Sequence, residues 1–61
     1  MPHISIKGPA LSLDEKRTLV LKITQVASDA YKIPQEKFMI HLHEFPRENT
    51  ASGGVLISEK K

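Results

Sequence analysis

The chain has 61 residues, with nine lysines and arginines, seven acidic residues and no cysteine. A domain of this size buries only ~60% of the surface that its unfolded chain exposes. We therefore expect one marginally stable domain, residues 1–61, that self-associates. The lack of cysteine excludes disulfides and argues against the commonest zinc sites.

The hydropathy and charge of the chain indicate which classes of partner to expect. No apolar run approaches the ~18 residues that a membrane span needs, and the N-terminus lacks the basic and apolar pattern of a signal peptide, so we expect a cytoplasmic protein without a membrane partner. The net charge of +2 and the pI of about 9.2 come from scattered cations. Because no basic stripe is interleaved with aromatic residues, we expect no nucleic-acid partner. A nucleic-acid-binding module remains an alternative that depends on the pI alone.

Residues 2–7, "PHISIK", alternate between apolar and polar side chains and predict a short strand. Gly8 and Pro9 then mark a loop. Pro2 has two readings at the start of this strand. It is either an inert first residue that donates no ladder hydrogen bond or, once Met1 is removed, a free secondary amine at the chain terminus.

Ser12 and Glu15 have the spacing of a capping box, which predicts a helix from Leu13 to about Lys32, ended by Pro34. At ~100° per residue its apolar face comprises Leu19, Val20, Ile23, Val26, Ala27, Ala30 and Tyr31. Lys16 points toward that face, where its stem is expected to pack while its ammonium reaches past the helix end. Leu21 points away from it, either as an ordinary exposed leucine or as part of a subunit contact.

Residues 37–45, "KFMIHLHEF", predict a second strand, and residues 55–58 a short third strand after the hairpin glycines Gly53 and Gly54. Strand, helix and strand with short connectors make a β-α-β unit whose strands are parallel. The fold class is therefore α/β (α+β), with a C-terminal hairpin or strand. One helix covers one face of the sheet, so the opposite face is expected to pack against another subunit.

Two histidines, His41 and His43, share one strand face. They could hold a metal ion if His3, Glu44 or a neighbouring subunit supplied a third ligand. The alternative, which we favour, is a pair of half-exposed histidines at an interface. On this interpretation we expect no metal site. The sequence also has neither a phosphate-binding glycine loop nor a nucleophile elbow.

The freed amine of Pro2 would be a suitable acid–base group. An α-amino group has a pKa of ~7.7 to 8.0, and apolar surroundings or nearby cations lower it further. Such an amine can take a proton in one step and return it in the next. This chemistry suits proton transfer between carbons through an enol.

The order and spacing of several features, across essentially the whole chain, resemble the 4-oxalocrotonate (2-hydroxymuconate) tautomerases. These features are Pro2, the strand "ISI", "SLDEK" at the helix start, "IP" before the second strand, the "HEFP" turn and the double glycine. The resemblance implies a β-α-β subunit with a C-terminal hairpin and assembly as a homohexamer. It also implies catalysis by the amino-terminal proline, Pro2 here, without a cofactor, on a small carboxylate substrate.

The resemblance also implies positions for substrate binding. The two arginines that handle the substrate in well-studied members correspond to Leu11 and Met39, and an aromatic residue that closes the pocket corresponds to Thr50. Lys7, Lys16 and Arg47 are the cations available to replace those arginines. Beside catalytic Pro2, the expected substrate-binding residues are therefore Met39, Thr50, Arg47 and Lys7.

Two principal functions follow from these observations. The first is an isomerase that interconverts enol and keto forms of a small 2-hydroxy or 2-oxo acid, with Pro2 as the proton carrier. The second is a non-catalytic oligomeric binding protein that keeps the tautomerase fold without the arginines at positions 11 and 39. Retention of Met1 would exclude the first mechanism, because the Pro2 nitrogen would then be an amide without a basic lone pair.

Overall fold

Residues 1–60 are described by a computed structural model, and they form a β-α-β unit followed by a small hairpin. In chain order the elements are β1 (His3–Gly8), α1 (Leu13–Tyr31), β2 (Met39–Glu44), β3 (Ala51–Ser52) and β4 (Val55–Leu56). Strands β1 and β2 pair in parallel, whereas β3 and β4 form a separate antiparallel pair. The predicted fold class is confirmed, including the parallel strands and the C-terminal hairpin.

The two long strands have one covered face and one uncovered face, as their alternation predicts. The covered face is half-buried and comprises Ile4, Ile6, Ile40 and Leu42. The other face is exposed, and we call it the open face; it comprises His3, Ser5, Lys7, Met39, His41 and His43. The register places His3 opposite Met39, Ser5 opposite His41 and Lys7 opposite His43.

The N-terminus of α1 has the predicted capping box. The amide of Glu15 donates to Oγ of Ser12 at 3.1 Å, and the amide of Ser12 donates to Oε1 of Glu15 at 2.9 Å. The amide of Ser12, and to a smaller extent its hydroxyl, hold the pKa of the Glu15 carboxyl below its ordinary value, because hydrogen bonds to the carboxylate favour the charged form. The box satisfies amides that the first helical turn leaves without partners.

The helix ends one residue earlier than predicted and for a different local reason. Lys32 adopts a left-handed conformation with φ of 59°, and its amide donates to the carbonyl of Ser28 at 2.8 Å. The hydroxyl of Ser28 in turn donates to the carbonyl of Ile33 at 2.6 Å. This left-handed cap, rather than Pro34 alone, terminates α1. Within residues 1–60 no helix has the combination of length and apolar character needed to cross a membrane.

The predicted apolar face of α1 is only partly covered. Leu19, Val20, Ile23 and Ala27 are half-buried, but Val26, Ala30 and Tyr31 are exposed. Two strands are too narrow to cover an apolar face of this width. Leu21 is also exposed, so both readings of that residue stay open.

The hydrophobic core is correspondingly small. Among the described residues only Phe38, which is 8% exposed, is a buried hydrophobic residue. The ring of Tyr31 lies against it with centroids 6.1 Å apart. A single copy therefore leaves much of its apolar surface in contact with water, which agrees with the expectation of self-association.

The C-terminal part corrects two predicted boundaries. Strand β2 begins at Met39 rather than Lys37, because Gln35–Lys37 form a short 3₁₀ turn. The predicted strand 55–58 is wrong in its second half, since Ile57–Glu59 form another 3₁₀ segment.

Gly53 and Gly54 have φ of 61° and 83° and make the two-residue turn between β3 and β4. Both central residues of a type I′ turn need positive φ, which glycine adopts without steric cost.

We expect Ser12→Ala to destabilise the protein by about 1 kcal/mol, because an N-cap amide would lose its acceptor. Denaturant unfolding followed by circular dichroism measures this loss. Ser58→Ala, at an exposed serine that caps no α-helix, is the matched control. Equal unfolding midpoints for Ser12→Ala and the parent would show that the capping box contributes nothing.

Candidate active site

Pro2 lies immediately before β1 and is half-buried. Its carbonyl accepts a hydrogen bond from the amide of Met39 at 3.0 Å, which ties the start of the chain to the start of β2. Met1 is 79% exposed and lies outside the strand. The backbone at Pro2 is therefore fixed, while the residue before it is accessible.

Met39 is the substrate-binding candidate that the fold places next to Pro2. It is the first residue of β2, stands on the open face and is 43% exposed. A thioether provides apolar contact but no positive charge. The immediate surroundings of Pro2 therefore contain a flexible apolar side chain at the position where the sequence resemblance implies an arginine.

The other three substrate-binding candidates lie together at the opposite end of the sheet. Lys7, Arg47 and Thr50 line one cleft of about 550 Å³. Six further residues complete its wall: Gly8, Pro9, Phe45, Asn49, Ala51 and Ile57. Sequence reasoning did not assign these six, because the cleft forms only where the end of β1 meets the hairpin segment.

The two cations of this cleft differ in their bonding partners. Nη2 of Arg47 donates to the carbonyl of Ile57 at 3.1 Å, so part of its guanidinium supports the hairpin segment. Thr50 supports the same segment, because its carbonyl accepts the amide of Ile57 at 2.7 Å. Lys7 makes no ion pair with the described residues 1–60. Lys7 and the remaining donors of Arg47 give an otherwise apolar cleft its positive charge.

Pro2 and the cleft are well separated within one copy of the chain. Lys7 follows Pro2 by five positions along the chain, and at ~3.3 Å per residue these five steps span roughly 16 Å. A small substrate cannot reach both ends of this sheet. One copy therefore brings Pro2 together with Met39, and Lys7 together with Arg47 and Thr50, but does not join the two groups.

Glu44 holds the loop between β1 and α1, a role that sequence reasoning missed. Its Oε1 pairs with Nζ of Lys16 at 2.8 Å, and its Oε2 accepts the amide of Leu11 at 2.8 Å. The hydrogen bonds from Lys16 and then Leu11 lower the pKa of Glu44. Lys16 thus pairs with a carboxylate instead of extending past the helix end. The inward position of Lys16 on α1 was the signal that could have indicated an acidic partner.

The histidines form a pair rather than a cluster of three. Nδ1 of His3 and Nε2 of His41 are 3.4 Å apart across the two strands. Within the described part of the chain, no group of three or more potential metal ligands comes together. The third ligand considered for a metal site, Glu44, is engaged with Lys16 and Leu11.

A parallel β-α-β unit with a proline at the start of its first strand and a small C-terminal hairpin defines the tautomerase class of fold. The family model described as "Tautomerase enzyme" matches residues 2–60. The chain belongs to this family, and the resemblance drawn from its sequence is confirmed.

Solved structures with the same fold match this chain over nearly its full length. A 4-oxalocrotonate tautomerase homologue is 32% identical with a TM-score of 0.88, and the match covers 100% of this chain and 98% of that one. DmpI from Archaeoglobus fulgidus is 36% identical with a TM-score of 0.87, over 95% of this chain and 100% of that one. The heterohexameric 4-oxalocrotonate tautomerase of Chloroflexus aurantiacus shares the fold at 20% identity, with a TM-score of 0.79 over 98% and 95% of the two chains.

We expect Glu44→Gln to lower the thermal unfolding midpoint near neutral pH. The pKa of Glu44 is depressed in the fold, so its stabilisation is present above the unfolded pKa of ~4.3 and is lost as pH falls through the folded pKa. The difference between Glu44→Gln and the parent should therefore shrink toward strongly acidic pH.

Thermal scans at several pH values test this, with Glu36→Gln as the control at an exposed glutamate outside the ion pairs. A midpoint difference that stays constant with pH would contradict a stabilising charge at Glu44.

Proposed function

We propose that the protein is an isomerase that interconverts enol and keto forms of a small 2-hydroxy or 2-oxo acid of the 2-hydroxymuconate type. Pro2, freed by removal of Met1, is its general base and acid. The observation that carries this proposal is the position of Pro2 in a member of the tautomerase family. Its carbonyl is anchored by Met39, and the exposed Met1 is open to an aminopeptidase.

The chemistry requires one group that both accepts and donates a proton. The secondary amine of Pro2 takes the proton of the enol hydroxyl, and the electrons of that O–H bond form the carbonyl. The carbon–carbon double bond shifts, and the resulting ammonium returns the proton to carbon. No atom or electron is gained or lost, so the reaction needs no cofactor. The ordinary α-amino pKa of ~7.7 to 8.0 suits both steps.

Substrate binding in this proposal uses two copies of the chain. Pro2 and Met39 of one copy contribute the base and an apolar contact. The cleft of another copy contributes Lys7, Arg47 and Thr50, with the two cations holding the carboxylate. The roughly 16 Å between the two groups within one copy supports this division. The chain would then be active only as a homo-oligomer, and a hexamer agrees with the heterohexameric neighbour.

One observation favours a second candidate, a non-catalytic oligomeric binding protein. Leu11 and Met39 carry no charge, and the amide of Leu11 is already bonded to Glu44. Donors aimed at the charge that develops on an enolate contribute roughly 2.7 to 4 kcal/mol each in enzymes that have them. A cleft that binds a carboxylate with no nearby free amine would bind without turnover. The two candidates differ in whether the amine of Pro2 exists.

We expect Pro2→Ala to reduce kcat/KM for ketonisation of 2-hydroxymuconate by 10²–10⁴-fold, the usual contribution of a positioned acid–base group. The loss of the enol absorbance measures the rate. Pro34→Ala, a proline replacement far along the chain from Pro2, should keep the parent rate. Intact mass of the same samples shows whether Met1 has been removed. Turnover by a chain that retains Met1, or a parent rate for Pro2→Ala, would contradict the mechanism.

We expect Lys7→Ala and Arg47→Ala each to raise KM for a carboxylate substrate about tenfold or more, since a hydrogen bond to a charged group contributes ~1.5 to 3 kcal/mol. A smaller effect on kcat is expected if the cations bind ground state and transition state alike. Lys37→Ala is the control, because Lys37 lies in a 3₁₀ turn outside the cleft.

Lys7→Ala is the cleaner variant, because Arg47 also bonds to Ile57. If KM stays unchanged in both variants, the cleft does not bind the carboxylate.

A further inference from the structure

The cations of the proposed site lie away from the base, at the other end of the sheet. Lys7 is the only lysine or arginine in strands β1 and β2, and it lines the cleft together with Arg47. Pro2 precedes Lys7 by five positions, which is roughly 16 Å at ~3.3 Å per residue. Neither strand therefore places a lysine or arginine beside the base.

Met39 is the residue that the sheet places next to the base. Its amide donates to the carbonyl of Pro2 at 3.0 Å, and 43% of the residue is exposed. His3 stands opposite Met39 in the register, and its Nδ1 lies 3.4 Å from Nε2 of His41. A thioether is uncharged and flexible, and it packs well against apolar groups. A ligand group at this end of the site therefore gains apolar contact and no charge partner.

The cleft combines its cations with apolar walls. Phe45, which is 42% exposed, has its amide bonded to the carbonyl of Gly8 at 2.9 Å, so the backbone of this wall is fixed. The other apolar wall residues are Pro9, Ala51 and Ile57. A volume of about 550 Å³ lies in the range of ~300 to 1,000 Å³ that small organic ligands occupy. One carboxylate can accept hydrogen bonds from both cations, and the walls favour an apolar remainder.

The reaction determines which part of the substrate lies at each end. In a 2-hydroxy-2-enoate the carboxylate is bonded to the carbon that carries the hydroxyl, and the proton returns to a carbon farther along. With the carboxylate on Lys7 and Arg47 of one copy, that carbon and its substituent lie at Pro2 of the other copy. The substituent then contacts Met39. A second carboxylate there would lose water and gain no cation, which is unfavourable for a charged group.

We propose that Met39 is a specificity-determining residue and that the protein favours 2-hydroxy-2-enoates with one carboxylate and an apolar substituent over dicarboxylates. This inference rests on the proposed function and narrows its substrate class. The cleft holds the single carboxylate, and the apolar substituent packs against Met39. A dicarboxylate such as 2-hydroxymuconate reacts at the same base but less efficiently, because its second carboxylate finds no partner.

Ketonisation of two enols tests this preference, with each kcat/KM divided by the uncatalysed rate to remove differences in intrinsic reactivity. We expect the normalised value for phenylenolpyruvate, a monocarboxylate with a phenyl substituent, to exceed that for 2-hydroxymuconate by about tenfold or more. Met39→Arg adds a cation beside Pro2 and should lower this ratio by about tenfold to a hundredfold. Met39→Leu, similar in volume and uncharged, is the matched control and should keep the parent ratio.

A parent chain that prefers the dicarboxylate would overturn the proposal. A folded Met39→Arg variant with the parent ratio would overturn it as well, because Met39 would then have no influence on specificity.

Inhibition of the parent chain by unreactive acids covers the case in which Met39→Arg does not fold. Hexanoate and adipate have carbon chains of equal length and differ only in the second carboxylate. We expect hexanoate to compete with phenylenolpyruvate with an inhibition constant about tenfold or more below that of adipate. The reverse order would contradict an apolar end to the site.

Lys37 is the cation nearest to Met39 in the chain, and it offers an alternative partner for a second carboxylate. It precedes Met39 by two positions, in the 3₁₀ turn Gln35–Lys37, and is exposed. We expect Lys37→Ala to keep the parent ratio of the two enols. A selective loss of 2-hydroxymuconate turnover in Lys37→Ala would show that this lysine holds the second carboxylate, which would refute the proposal.

Two outcomes separate this inference from the proposed function. Turnover that requires Pro2 but favours the dicarboxylate would refute the role of Met39 and leave the isomerase intact. No turnover of either enol by a chain that has lost Met1 would refute the isomerase. Calorimetric titration of that same chain with hexanoate and adipate then decides the ligand class. Tighter binding of hexanoate would support a monocarboxylate site, whereas tighter binding of adipate, or binding of neither acid, would refute it.

Discussion

One helix can cover only one face of a two-stranded parallel sheet, and most features of this protein depend on that constraint. The covered face places isoleucines and a leucine under α1, yet only Phe38 is buried among the described hydrophobic residues. The open face keeps Met39 and the histidines exposed. A fold this thin leaves apolar surface that association of copies would bury, and the proposed division of the active site between copies depends on such association.

Glu44 connects the two layers of the unit. It stands at the end of β2, pairs with Lys16 on α1 and accepts the amide of Leu11 in the preceding loop. This one carboxylate therefore contacts the helix and the loop from the end of the sheet. It also removes Lys16 from the set of cations available to a substrate. The cationic character of the cleft is left to Lys7 and Arg47.

The two ends of β1 have different chemistry because a strand is rigid and extended. Its start carries Pro2, whose carbonyl is tied to Met39. Its end carries Lys7, at the cleft that the hairpin segment completes. A base and its proposed carboxylate-binding partners thus lie too far apart to act within one copy. In the proposed function, this separation makes activity depend on the assembly of several copies.

The sequence by itself determined the local elements, because their signals are local. The alternation around Ile4, the capping box at Ser12 and the double glycine at Gly53 predicted a strand, a helix start and a hairpin turn that the structure contains. Together with Pro2 they also indicated the tautomerase family. The helix end at Lys32 and the 3₁₀ segment at Ile57 differed from prediction. A left-handed cap bonded to Ser28 ends the helix, and the amide of Ile57 bonds to the carbonyl of Thr50 across the hairpin.

The tertiary structure alone decided which side chains meet. Glu44 and Lys16 are far apart in the chain, as are His3 and His41. Packing of α1 on the sheet brings the first pair into contact, and the parallel pairing of β1 with β2 brings the second. The hairpin segment, folded against the end of β1, grouped Lys7 with Arg47 and Thr50, whereas Pro2 lies at the other end of the sheet. A sequence pattern predicts the face of a strand or helix on which a residue lies, because that face is set by the residue's position in the local alternation of side chains. The partner it meets depends on strand pairing, which no local pattern specifies.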